Sequence, residues 1–201
     1  MKNLEISAPT KKRLLYLLKI LEKSESISIT SSRIEEETGW SRDTVRKDIS
    51  ALGGLGSANG YETEHLSSAI RKALGLDKRR RLCIVGLGRL GSAYLNFGAL
   101  NSSEFELAAG FDTNVNRVEI LSSPVPLYPA YKMSEIIERL SINIGLLCVP
   151  EAQAQSAAEK LIRSGICGIV NFAPVVLKTP PSIAVRNVFV IDELRTLAAF
   201  L

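Results

Sequence analysis

The sequence predicts an α/β chain of two unlike domains, on three observations. Before residue 76 the apolar residues recur at helical spacing, and two short helical segments meet at a glycine. After it, short apolar runs ("RLCIVGLG", "FELAAGFD", "NIGLLCVP", "CGIVNFAP", "IAVRNVFVI") alternate with helical stretches such as "AQAQSAAEKLIRSG". The first run also leads into glycines spaced G-x-G-x-x-G, Gly86, Gly88 and Gly91. Helices on both faces of a buried parallel sheet produce that second pattern. The fold expected is an N-terminal winged helix-turn-helix followed by a Rossmann-like doubly wound parallel sheet.

The elements follow in chain order. "TKKRLLYLLKILEKS" sets Leu14, Leu17, Leu18 and Leu21 on one helical face, a face for packing. Ser32-Arg33-Ile34-Glu35 reads as a capping box opening a short helix that stops at Gly39. Ser41 is placed to cap the next helix, on which Val45, Ile49 and Leu52 share a face and Arg42, Asp43, Arg46, Lys47 and Ser50 point outward. Two short helices joined at a glycine, the second basic on its outer side, form a helix-turn-helix pattern. "GGLGSANGYET" then holds four glycines and an Asn-Gly pair, which suits the hairpin of a wing. Thr63 reads as the cap of a helix closed by Gly75.

In the second half the glycine loop ends a strand, starts a helix at about Arg89, and precedes a strand ending at Asp112. Gly86 permits the turn, Gly88 lets backbone approach a pyrophosphate, and Gly91 allows helix and strand to pack closely. Asp112 is placed to accept from an adenosine ribose 2′-hydroxyl, and an acid there repels a 2′-phosphate, so NAD(H) is favoured over NADP(H).

Composition agrees with a globular chain: 46 % of its 201 residues are hydrophobic and 23 % charged. Residues 1–81 hold 16 Lys and Arg against 11 Asp and Glu, a balance of +5 where the whole chain carries +4. The first domain is therefore the one suited to a polyanion. No stretch approaches the roughly 18 apolar residues of a membrane span, and "MKNLEISAPTKKR" lacks an apolar signal core. The expected setting is the cytoplasm. Cys83, Cys148 and Cys167 each lie in an apolar run without C-x-x-C spacing, which reads as core rather than as a metal or redox site. The sole histidine, His65, lies in the first half, so no catalytic set is assigned and the chain is not expected to be an enzyme.

The whole resembles the Rex redox-sensing transcriptional repressors, homodimers that couple a winged helix to an NAD(H)-binding Rossmann domain. Three blocks carry the resemblance: Val45-Arg46-Lys47-Asp48-Ile49-Ser50; Leu74-Gly75-Leu76 running on to Cys83-Ile84-Val85-Gly86-Leu87-Gly88-Arg89-Leu90-Gly91-Ser92-Ala93; and Asn171-Phe172-Ala173-Pro174-Val175-Val176-Leu177. It implies a DNA-binding domain over 1–76, a basic linker over 77–81, a cofactor domain over 82–190 and a C-terminal helix over 191–201 exchanged between protomers. DNA would meet Arg42, Thr44, Arg46, Lys47 and Ser50 on the helix, and Gly56, Ser57, Asn59 and Tyr61 in the wing. NADH or NAD+ would meet Gly86, Gly88, Arg89, Leu90, Gly91 and Asp112, and on the nicotinamide side Val149, Pro150, Asn171, Phe172, Ala173 and Pro174. An aromatic beside a strand end is also ordinary core, and Phe172 fits that description equally.

The departures from the family are specific. Its wing carries an arginine that "GSANGY" lacks, and Thr44 stands where it commonly has glutamine. A tyrosine and an acidic residue that in the family link redox state to the DNA-binding domain are matched by Phe97 and Phe189, while Lys19 takes the place of their basic partner. An alternative therefore stays open, in which the Rossmann domain is a dimerisation scaffold or binds another adenine nucleotide such as coenzyme A.

Overall fold

The computed structural model describes residues 6–53, 55 and 60–201, and the chain divides into two compact units, 1–78 and 79–201.

The first unit comprises α1 (Ala8–Lys23), β1 (Ser28–Ile29), α2 (Ser31–Thr38), α3 (Arg42–Ser50), β2 (Tyr61–Glu62) and α4 (Thr63–Leu74). Ser7 caps α1 by accepting from the Thr10 amide, and a proline occupies its first turn, where the missing N–H costs nothing. The predicted leucine face of α1 is buried with Ile34 of α2, Val45 and Ile49 of α3, and Leu66 and Ile70 of α4. Gly39 ends α2 in the left-handed conformation at φ 72°, and Ser41 caps α3 through the Thr44 amide.

Two local expectations change. The cap of α2 is Thr30, whose hydroxyl accepts from the Arg33 amide, ahead of the Ser32 box. Thr63 lies inside α4 and gives its hydroxyl to Ser26 O at 2.7 Å, so it ties the helix start to the preceding loop instead of capping it. Strand β1 is too short to show a period, and it pairs antiparallel with β2, Ile29 opposite Tyr61. Gly60 keeps that pairing open: its φ is +106°, and a Cβ there would stand 2.7 Å from Ile29 O.

The second unit comprises β3 (Arg80–Val85), α5 (Arg89–Leu95), β4 (Phe105–Asp112), α6 (Val115–Ile120), β5 (Leu127–Pro129), α7 (Met133–Arg139), β6 (Ile144–Leu147), α8 (Glu151–Arg163), β7 (Gly168–Asn171), β8 (Ala184–Asn187) and α9 (Val190–Ala198). The sheet runs β5-β4-β3-β6-β7-β8, and every pair in it is parallel. Counted within the unit this is the order 3-2-1-4-5-6, which reverses direction beside β3 and opens a crevice at the carboxyl ends of β3 and β6. Alternate residues of β3 serve the two faces: Cys83 and Val85 join one core cluster, Leu82 and Ile84 the other.

One boundary moves, and one cysteine is not where it was expected. Arg80 and Arg81, read as linker, are the first residues of β3, because backbone pairing with Phe105 and Glu106 of β4 extends the strand beyond its apolar part. Of the cysteines, Cys83 is buried, Cys148 half-buried and Cys167 exposed, so the last is not a core residue.

Candidate cofactor cleft and nucleic-acid face

A cleft of about 880 Å³ lies where the sheet reverses, lined by Gly86 and Gly88 of the glycine loop, Asp112 to Asn114 and Arg117 after β4, Cys148 to Pro150 after β6, and one side of α8. The glycines differ in what they permit. Gly86 has φ +89°, and a Cβ on it would stand 2.6 Å from Cys148 O; a Cβ on Gly91 would run into Gly86 O. Both are required by the protein's own packing. A Cβ on Gly88 would meet nothing within 4 Å, and the backbone there is extended at φ −67°. The fold leaves that position bare, beside a helix start whose first amides have no intrahelical partner.

Asp112 is 4 % exposed. Its carboxylate accepts from the Leu87 amide at 2.7 Å, the Asn114 amide at 2.8 Å and the Arg117 guanidinium at 2.9 Å. Burial alone would raise this carboxyl, but the two amides and Arg117 outweigh it and hold it below its ordinary value. Three donors occupy a group with about four lone-pair directions. Asp112 thus clamps the glycine loop onto the end of β4, which leaves one acceptor direction for the ribose hydroxyl expected there.

Val149 and Pro150 border the cleft; Arg89, Leu90, Gly91, Asn171, Phe172, Ala173 and Pro174 do not line it. Arg89 and Leu90 face outward. Asn171 is fully buried; its amide donates to Val175 O at 2.7 Å and Asn187 Oδ1 at 3.0 Å, and its oxygen accepts from the Ala173 amide, so it fixes the turn after β7. Phe172 lies 5.1 Å from the Tyr94 ring, and Tyr94 in turn 6.0 Å from Phe97; Phe172 is half-buried and packs against the core cluster around Leu82 and Ile84. Phe97 is 53 % exposed, and Phe189 stands at the start of α9 with no side-chain cap bond. Cys83 and Cys148 are pushed up to about 12 by burial, which keeps both as inert thiols.

On α3, Arg46 and Lys47 are exposed and Arg46 lies a loose 3.9 Å from Asp43. Arg42 is engaged with Glu35 of α2 at 2.8 Å, a bond that holds the Glu35 carboxyl below its ordinary value. The Ser50 hydroxyl donates to Lys47 O within its own helix, and half-buried Tyr61 packs against the core. Gly56, Ser57 and Asn59 lie outside the described residues. Unforeseen in the sequence is Asp48, 7 % exposed, which receives Arg13 on both oxygens and the Thr10 hydroxyl at 3.1 Å. A buried carboxylate facing a guanidinium fork pins α3 to α1. An aspartate next to a basic pair carries no periodic signal of such a partner.

Among the described residues no group of three or more His, Cys, Asp or Glu is placed to hold a metal ion, and no helix is long and apolar enough to cross a membrane.

A helix-turn-helix unit joined to a dinucleotide-type α/β sheet defines the class, a DNA-binding protein with a ligand domain. Family models agree in order: residues 13–62 match an HTH domain and 77–175 a CoA binding domain. The chain is 33 % identical over 205 residues to a redox-sensing transcriptional repressor Rex of Limosilactobacillus reuteri, covering all of this chain and 96 % of that protein. It is 33 % identical over 201 residues to a protein of the same name from Exiguobacterium, covering 98 % of this chain and 92 % of that one. The crystal structure of RSP, a Rex-family repressor, in complex with β-NAD+ and operator DNA superposes with a TM-score of 0.89 at 33 % identity, covering 96 % of this chain and 91 % of that one; RSP with β-NADH superposes with a TM-score of 0.85. The chain belongs to the Rex family of redox-sensing transcriptional repressors.

Proposed function

We propose that this protein is a cytoplasmic transcriptional repressor that binds operator DNA through residues 1–76 and NAD(H) in the cleft of its Rossmann unit, the cofactor setting its affinity for DNA. The observation that carries the cofactor half is the bare backbone at Gly88, open on the cleft side while Gly86 and Gly91 are filled by the protein itself. Gly86, Gly88 and the first amides of α5 would hold the pyrophosphate, and Val149 and Pro150 would face the nicotinamide half. When bound, the cofactor supplies the signal: its nicotinamide ring is cationic when oxidised and neutral when reduced.

The DNA half is carried by Arg46 and Lys47, whose charged ends are exposed on a capped helix anchored to α1 by Asp48. The family's homodimer gives α9 a role. Val190, Ile191, Leu194 and Leu197 are 55 to 67 % exposed, an apolar stripe suited to a second copy.

One observation favours a second ligand, since the model matching 77–175 is described as a CoA binding domain. A thermal-shift titration with NADH, NAD+ and coenzyme A decides between them. Stabilisation by the dinucleotides is the expected result; stabilisation by coenzyme A alone would replace the proposal.

A further inference from the structure

The residue that closes the second strand of such a sheet meets the adenosine ribose, and an acid there selects against a 2′-phosphate whereas a nearby arginine accommodates it. In this chain the acid is withdrawn. Asp112 is buried and clamped by the Leu87 and Asn114 amides and by Arg117, so its charge is already neutralised by an adjacent cation. The residues that reach the surface at that strand end, Thr113 and Asn114, are uncharged, and the Asn114 oxygen is turned back to cap α6 through the Arg117 amide. The Arg117 side chain remains 43 % exposed. It lines the cleft while spending one N–H on Asp112, of the five donors a guanidinium carries. Lys160 and Arg163 of α8 line the same cleft; Lys160 donates to Ala130 O, which leaves its charge in place, and Arg163 is a loose 3.9 Å from Glu159. Among the described residues that line the cleft, Asp112 is the one acid, against three cations.

We infer that Arg117 sets selectivity at the adenosine end of the cleft, and that the protein accepts the 2′-phosphorylated dinucleotide NADP(H) alongside NAD(H). Asp112 positions this arginine and the glycine loop together, and the guanidinium is exposed on the cleft. This inference rests on the dinucleotide reading of the cleft.

The test is a set of dissociation constants for NADH, NADPH and adenosine 2′,5′-bisphosphate, measured by calorimetry on the full chain and on the variants Arg117→Ala and Asn114→Asp. In the unmodified protein NADPH should bind within about tenfold of NADH, and Arg117→Ala should weaken NADPH and the bisphosphate by a further factor of about ten, the scale of one hydrogen bond to a charged group. Any loosening of the Asp112 clamp on the glycine loop would weaken both dinucleotides alike, so the loss is read in the ratio of NADPH to NADH affinity. Asn114→Asp, which adds an exposed carboxylate without disturbing the glycine loop, should weaken NADPH and spare NADH. Binding of NADH with no measurable binding of NADPH would overturn the inference and leave the dinucleotide reading standing, as would a NADPH affinity indifferent to Arg117. Failure of all three ligands would overturn the dinucleotide reading itself.

Discussion

At the scale of single residues, the buried carboxylate of Asp112 joins the glycine loop, the turn after β4 and Arg117 at one point. Since the folded carboxyl lies below its ordinary value, the native state holds fewer protons than the unfolded state across the ordinary aspartate range. Its stabilisation is therefore complete above that range and is lost as pH falls through the folded value. Urea midpoints for Asp112→Asn should show a loss of about 1 to 3 kcal/mol at neutral pH and a shallower decline in acid than the unmodified protein; parallel acid profiles would show that Asp112 carries none of the pH dependence. The position of Asp112 at the end of β4 followed from the glycine loop and the strand spacing. Its partners did not, because a carboxylate shared by Leu87, Asn114 and Arg117 depends on approaches no local pattern encodes. The glycines supply a second residue-level test. Gly91→Ala should destabilise the fold by about 1 to 3 kcal/mol or more through overpacking, whereas Gly88→Val should melt normally yet lose NADH affinity. A Gly88→Val protein that binds NADH normally would contradict the placement of the pyrophosphate.

Among the elements, those with a strong period were legible and those made by pairing were not. The leucine face of α1 and the outward basic residues of α3 could be read directly, as could the strand, loop and helix around Gly86, because burial imposes the spacing. The two-residue strand β1 and the extension of β3 into Arg80 and Arg81 could not, since both are defined by a partner strand. The segment Asn171 to Pro174 holds a turn and a core edge set by the buried Asn171 amide, contacts that its sequence does not display. Two separable outcomes are expected for α3. Replacing Arg46 and Lys47 together with Ala should leave the melting temperature unchanged and weaken DNA binding, lowering the salt slope by about 0.9 for each phosphate no longer neutralised. Asp48→Ala should instead cost about 1 to 3 kcal/mol of stability, because Arg13 loses its buried partner but stays 28 % exposed to solvent. Wild-type DNA affinity and salt slope in the double variant would show that α3 does not face DNA.

For the whole molecule, the question is how a ligand in one unit alters the affinity of the other for DNA. A ligand shifts a conformational equilibrium only by its differential affinity for the two states. Phe97 and Phe189 stand where the family carries groups able to form hydrogen bonds, and a phenyl ring offers neither donor nor acceptor. What distinguishes NADH from NAD+ is then charge, and the account requires the neutral reduced ring to favour the DNA-incompetent state more than the cationic oxidised ring does, since closing the cleft bordered by Val149 and Pro150 over an unpaired charge costs more. The measurement that tests this most directly is the affinity of the full-length protein for operator DNA in saturating NADH and, separately, in saturating NAD+. Binding should be at least about tenfold weaker with NADH, a coupling of roughly 1.4 kcal/mol. Equal DNA affinities with both cofactors shown to be bound would contradict it.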